Sequence, residues 1–134
     1  MYFGKEEDMD GFEVIHSYSR AQAIADGVLV DVSAAAKKIG FKYPVAVTES
    51  LYEQYIVVPE SINDSEQSEE GRLHDVLSLL VMNIKTGKGH TNELHYTVQF
   101  RMSGSRNENV QVWALVNGGD TGEPVITIML EGED

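Results

Sequence analysis

The strongest pattern along the chain is an apolar spacing of three and four. Leu73, Val76, Leu77, Leu80, Val81 and Ile84 recur at i, i+3, i+4, i+7, i+8 and i+11, which places them on one face of a helix. Leu79 and Met82 widen that face. The segment predicts the central core helix, stopped by Thr86-Gly87-Lys88-Gly89. Beyond it the period changes to two. Leu94, Tyr96, Val98, Phe100 and Met102 share one face of a strand, and His95, Thr97, Gln99 and Arg101 share the other. Val110, Val112, Ala114 and Val116 alternate with Gln111, Trp113 and Leu115, and residues 125–130 form a run apolar on both faces. Turn-rich loops at 103–107 and 117–122 separate these strands, so a three-stranded antiparallel meander is expected.

Upstream, three shorter helices are predicted. Ser19 caps one over 21–25, stopped by Asp26-Gly27. Ser33 caps a second, Ala34 to Ile39, with Lys37 and Lys38 in its last turn and Gly40 after it. Thr48 caps a third, in which Leu51, Tyr52, Tyr55 and Ile56 fall at helical spacing before Pro59. The apolar run 28–30, the extended step at Tyr43-Pro44 and the pair Val45 and Val47 lie between them. The expected fold class is α+β, with four N-terminal helices packed on the C-terminal meander. No repeat or linker divides the chain, so 1–134 is expected as a single domain, with residues 1–11 a flexible acidic arm. Trp113 alternates out of phase with Val112 and Ala114. That predicts an apolar outer sheet face of Trp113 and Leu115, joined by Ile126, Ile128 and Leu130, and covered by the N-terminal helices or by a partner chain, as in a homodimer or a heteromeric contact.

Composition changes the picture in three ways. The 134 residues include no cysteine, which removes disulfides, thiol nucleophiles and thiolate zinc sites. No apolar run reaches 18 residues, and the first 13 carry five acids and one lysine. Neither a membrane span nor a secretory signal is expected, and the cytoplasm is the default location. Twenty-two acids against ten bases give a formal charge of −12. Direct binding to nucleic acid is therefore disfavoured, while a basic protein partner, mimicry of a phosphate backbone or simple solubility all fit.

Candidate chemistry is sparse. His16, His74, His90 and His95 show no metal-ligand spacing, so no metal or other cofactor is expected. His74 and Asp75 are adjacent on a helix and point about 100° apart, so they do not form a dyad by themselves. The glycine-rich loop 118–122 precedes a strand and contains Asp120, which fits a hairpin turn better than a phosphate cradle. Ser17, Ser19 and Ser33 lack a nucleophile-elbow context. Arg20 opens a helix in an acidic stretch; it suits an ion pair, or an anchor for an anionic group at that helix N-terminus. The stretch 60–70 holds Glu60, Asp64, Glu66, Glu69 and Glu70 with three serines and no base. It is expected as an exposed loop leading into the core helix.

The stretch 15–33, IHSYSRAQAIADGVLVDVS, resembles the opening of a family of small proteins of bacteria, plasmids and phages with no assigned function. Segments 40–48 (GFKYPVAVT), 71–77 (GRLHDVL) and 122–130 (GEPVITIML) are also similar to it. The family pattern has an aromatic residue where this chain has His74. The resemblance transfers no catalytic residue. It implies a mobile-element context, in which small acidic proteins often inhibit host defence systems. The leading expectation is a non-enzymatic acidic binding protein of a phage or mobile element. It would inhibit a host defence nuclease, anti-CRISPR-like or anti-restriction, by protein contact or nucleic-acid mimicry. Its contact residues would be Glu60, Asp64, Glu66, Glu69, Glu70 and Trp113, and its partner a basic nucleic-acid-binding effector. Two alternatives stay open. One is a small enzyme or ligand-binding domain with Arg20, Asp31, His74 and His95 between helix and sheet. The other is a homo-oligomer that uses the Trp113 face.

Overall fold

The computed structural model describes residues 18–62, 67–88 and 92–133. The acidic arm, His16, Asp64, Glu66 and His90 lie outside the described residues. Helix α1 spans Arg20–Ala25. Ser19 precedes it in extended geometry, and its Oγ accepts from the Gln22 amide at 2.9 Å, as an N-cap does. Gly27 follows at φ +81°, a left-handed turn that glycine adopts without steric cost. Strand β1 (Leu29–Asp31) leads into α2 (Ser33–Ile39). Here the expected cap is corrected. Ser33 is the first residue inside the helix, and its amide and hydroxyl both donate to Asp31 Oδ1, at 3.0 and 2.6 Å. Its hydroxyl also accepts from the Val45 amide at 3.0 Å, tying α2 to the next strand.

Strand β2 (Val45–Thr48) runs straight into α3 (Glu49–Leu51), which continues as a π-helical turn over Tyr52–Ile56. The Val57 amide closes that wider turn on the Tyr52 carbonyl at 2.9 Å. The long helix α4 (Glu69–Asn83) starts at Ser68, whose hydroxyl accepts from the Gly71 amide at 3.0 Å. It too passes into a π-helical turn, Ile84–Lys88. Three strands follow among the described residues: β3 (Glu93–Ser103), β4 (Arg106–Gly118) and β5 (Pro124–Leu130).

The strands form one five-stranded sheet in the order β1-β2-β5-β4-β3. Pair β2–β5 is parallel and the other pairs are antiparallel. The fold is α+β, but the sheet is mixed and has five strands, not the expected three-stranded antiparallel meander. The helices are also interleaved with β1 and β2 instead of preceding all the strands. The physical reason is length. β1 has three residues and β2 four, too few to show a period of two, and Val45, Ala46 and Val47 are fully buried. A strand covered on both faces reads as a plain apolar run, which periodicity alone does not separate from a helix segment.

One sheet face carries the core. Val47, Ile128, Val112, Leu94, Tyr96, Val98 and Phe100 pack with Ala36 of α2, Leu51 and Ile56 of the α3 segment, and Val76, Leu77 and Leu80 of α4. Of the predicted α4 stripe, Ile84 is 44% exposed and Met82 59%. Met82 stands about 140° around the helix from the buried Leu77, and Ile84 lies where α4 runs out over an open groove. Register corrects the outer face. Trp113 pairs with Met129 and Leu115 with Thr127, whereas Ile128 pairs with Ala114, Ile126 with Val116 and Leu130 with Val112. Ile126, Ile128 and Leu130 thus face the core, and Trp113 shares its face with Thr127 and Met129. A continuous apolar run in β5 hides its phase, and a one-residue change of phase swaps the two sets.

Candidate functional site

Three surfaces hold the residues with chemistry. The first surrounds the N-terminal end of α4. Glu69 and Glu70 occupy the first turn and are exposed, where the helix dipole favours carboxylates. The Tyr52 hydroxyl donates to Glu69 Oε1 at 2.8 Å. Desolvation, reinforced by that carboxylate, pushes the Tyr52 phenol up to about 12. Glu53 and Glu60 are exposed nearby, Glu60 beside Ser61, whose hydroxyl donates to the Met102 carbonyl at 2.8 Å.

Beneath this acidic rim lies Arg72, only 4% exposed. Its Nη1 donates to the Tyr55 carbonyl at 2.5 Å, its Nη2 to the Arg101 carbonyl, and its Nε to Gln67 Oε1 at 3.2 Å. The guanidinium also sits 5.6 Å from the centre of the Phe100 ring, on which Tyr55 stacks at 5.3 Å. Burial lowers its pKa and Asp75 opposes that. One side chain therefore joins α4, the α3 π-turn and β3. The sequence reading passed it over. Its signal was the i+4 row Arg72, Val76, Leu80, all of which are buried.

The second surface is an open groove of about 490 Å³ beside the other end of α4. Ile39, Phe41, Tyr43, Val81, Ile84 and Val116 line it, with Lys42 and Lys85 among its walls.

The third is the outer sheet face. Asp120, in the β4–β5 turn, accepts from the Arg20 and Ala21 amides at 2.8 and 3.0 Å. Those amides hold its carboxyl below the usual range. The anion at this helix N-terminus is thus supplied by the chain itself. The Arg20 guanidinium donates to Thr127 Oγ1 at 2.7 Å and to the Ile126 carbonyl at 2.8 Å, clamping α1 onto β5. Asp31, Asp120 and Glu123 act on it electrostatically, while burial lowers its pKa. Further along the face, the His95 ring stacks on Trp113 with centroids 5.6 Å apart and planes 5° apart. His95 Nδ1 meets Glu131, and Nε2 lies 3.3 Å from Glu93. The Glu131 hydrogen bond raises its pKa, partial desolvation opposes this, and Glu93 adds to the rise. Trp113 Nε1 is buried and has no hydrogen-bond partner among the described residues.

Of the set Arg20, Asp31, His74 and His95, Arg20 and Asp31 come close enough to interact, but the four do not converge. Arg20 and His95 lie on the outer face, and His74 is exposed on α4 across the sheet, 3.3 Å from Ser78 Oγ. Glu60, Glu69 and Glu70 share the acidic rim, whereas Trp113 stands on the outer face. Among the described residues, no group of three or more His, Asp or Glu is placed to hold a metal, and no helix is long and apolar enough to cross a membrane.

A five-stranded mixed sheet, with three helical segments on its core face and α1 on the other, defines an open-sheet α+β protein. The chain belongs to a family of unknown function, DUF6573, whose model matches residues 6–134. No curated protein and no solved structure matches it significantly.

Proposed function

We propose that this protein acts by binding, without chemistry of its own, and that its acidic end contacts a basic partner. The observation that carries the reading is the cluster of exposed carboxylates around the N-terminal end of α4. Glu53, Glu60, Glu69 and Glu70 are exposed around that end, where Arg106 answers only Glu108 at 3.9 Å, and Lys42 and Lys85 wall the groove beside the opposite end. Complementing helix dipoles accounts for Glu69, Glu70 and Lys85, but Glu53 and Glu60 lie outside α4. Clustered carboxylates attract a basic surface over a Debye length and speed encounter. Asp64 and Glu66 extend the same acidic stretch in sequence. The partner of matching chemistry is a nucleic-acid-handling protein. In a phage or mobile element, that partner is a host defence nuclease of the CRISPR or restriction kind, inhibited by occupation of its basic groove.

The test compares the tagged protein with a Glu60→Lys, Glu69→Lys, Glu70→Lys variant in capture from host lysate, after circular dichroism has shown both to be folded. The wild type should hold one basic nucleic-acid-binding protein at low salt and release it at high salt, and the variant should hold none. Equal capture by the variant, or salt-resistant capture, refutes the reading.

The groove supports a second reading, a ligand-binding domain with its site between helix and sheet. An apolar floor with lysines suits an amphiphilic anion. A concentration-dependent rise in melting temperature with an acyl carboxylate, lost in Lys42→Glu, Lys85→Glu, would favour it over the first.

A further inference from the structure

The groove beside the C-terminal end of α4 leaves large apolar side chains uncovered among the described residues. Tyr43 is 49% exposed and Ile84 44%, and Ile39, Phe41 and Val81 line the groove with them. Apolar surface gathered in this way is costly to leave in water and marks a docking site. Lys42 and Lys85 stand in its walls, and Glu93 lines the smaller adjoining cavity, not the groove itself. The occupant that suits such walls is apolar and flanked by acids.

Three observations point to a segment of this same chain, residues 9–14 (MDGFEV). The first is chemistry. Phe12 stands between Asp10 and Glu13 in the sequence, an apolar anchor with a carboxylate on each side. The other acidic stretch, 60–70, is engaged elsewhere: its Ile62 is already buried, and Glu69 and Glu70 open α4 at the opposite end. The second is reach. The first described residue is Tyr18, in a cleft that it shares with Asn117 and Val125. Those two are register partners, and the next pair, Val116 and Ile126, lines the groove on the other face of the sheet. Phe12 precedes Tyr18 by six residues, which span about 20 Å when extended, against about 10 Å for the thickness of a sheet layer. The third is the extent of the domain. The family match starts at residue 6, so residues 9–14 belong to the domain that carries the groove.

We propose that residues 9–14 lie in this groove, with Phe12 among Phe41, Tyr43 and Ile84 and with Asp10 and Glu13 facing Lys42 and Lys85. The contact is intramolecular, and a short tether keeps the local concentration of its own segment high. One buried phenyl ring therefore suffices to hold it, while the exposed ion pairs set its orientation more than its strength. The inference does not rest on the acidic-end reading. It bears on the second one: an amphiphilic anion reaches the groove only by displacing residues 9–14.

A nitroxide spin label reads the placement in the full chain, because the absence of cysteine leaves Gly11→Cys as its single attachment point. Amide signals of residues 39–43 and 81–85 should lose most of their intensity while the label is paramagnetic and recover it when the label is reduced. Those of Gln99 and Asn109, partners at the far end of the β3–β4 pair, should keep theirs. Adding Phe12→Ser, or Lys42→Glu with Lys85→Glu, should restore the groove signals. Asp10→Lys with Glu13→Lys on the lysine-reversed background should broaden them again. Loss of intensity centred on residues 117–120 beside Tyr18, or spread evenly over the surface, overturns the proposal; so does broadening at the groove that survives Phe12→Ser. Dodecanoate separates the two readings of the groove. If it changes neither the broadening nor the melting temperature, the ligand reading fails and this one stands.

Discussion

The imidazole of His95 stands against two carboxylates and lies flat on the only tryptophan of the chain. Its folded-state pKa is raised, chiefly by Glu131. The stabilisation is therefore fully present below the ordinary value of 6.5 and is lost as pH rises through the higher folded value. A protonated imidazole quenches a stacked indole, so Trp113 fluorescence should rise with pH with a midpoint above 6.5. His95→Gln should abolish that transition; a midpoint at or below 6.5 would contradict the geometry. Gly119 makes a second prediction at this scale. A Cβ there would stand 2.9 Å from Val125 Cγ1 and closer still to the Glu123 carboxylate. Gly119→Ala should cost about 1–3 kcal/mol in urea unfolding. The glycine-rich loop is thus a packed hairpin turn, as its sequence context suggested. That Asp120 caps α1 was not readable, because the two lie about a hundred residues apart.

At the scale of elements, Arg72 does what no backbone bond does, joining a helix, a π-turn and a strand through one group. Arg72→Met keeps much of its volume but leaves the Tyr55 and Arg101 carbonyls without their donor, at about 1–3 kcal/mol each. Chemical denaturation should show a loss of about 2–5 kcal/mol, with Arg72→Lys intermediate. A loss below the error of the fit would show that water replaces those bonds. The α4 stripe and the alternation of β3 and β4 were legible because long elements repeat their period many times. β1 and β2 were not, since three or four apolar residues fit a strand and a helix turn equally well. The π-turns were illegible for another reason. They widen a helix by one residue without changing residue type, and the helical spacing of Tyr52 and Tyr55 survives them.

At the scale of the molecule, the charge of −12 conceals a polarity. Exposed acids outnumber bases around the N-terminal end of α4, where Arg106 pairs with Glu108, while Lys42 and Lys85 stand beside the other end with Glu93. A net charge read from composition has no direction; the packing of α2 beside α4 supplies it. Chemistry at the candidate surfaces was legible only in part. Glu60, Glu69 and Glu70 could be picked out because charge repeats locally, whereas the lysine-lined groove draws on residues from 39 to 126. Orientation in an electric field offers a check. Neutralising Lys37, Lys38, Lys42 and Lys85 with glutamine should leave far-ultraviolet circular dichroism unchanged and lower the dipole moment seen by dielectric relaxation. An unchanged moment would show that the two ends do not oppose each other.

Strand β5 sits in the middle of the sheet, yet it is the last of the described elements, and its parallel neighbour β2 lies some eighty residues upstream. During synthesis, β1 and β2 leave the ribosome long before the strand that must separate them from β4. Until then their buried valines have no seat, and the growing chain carries an unfinished apolar edge. Assembly is therefore a late, all-at-once event, slowed by the loop that must close first. A nascent chain stalled before Pro124 should be open to protease throughout its length, and one extended past Leu130 should become resistant in a single step.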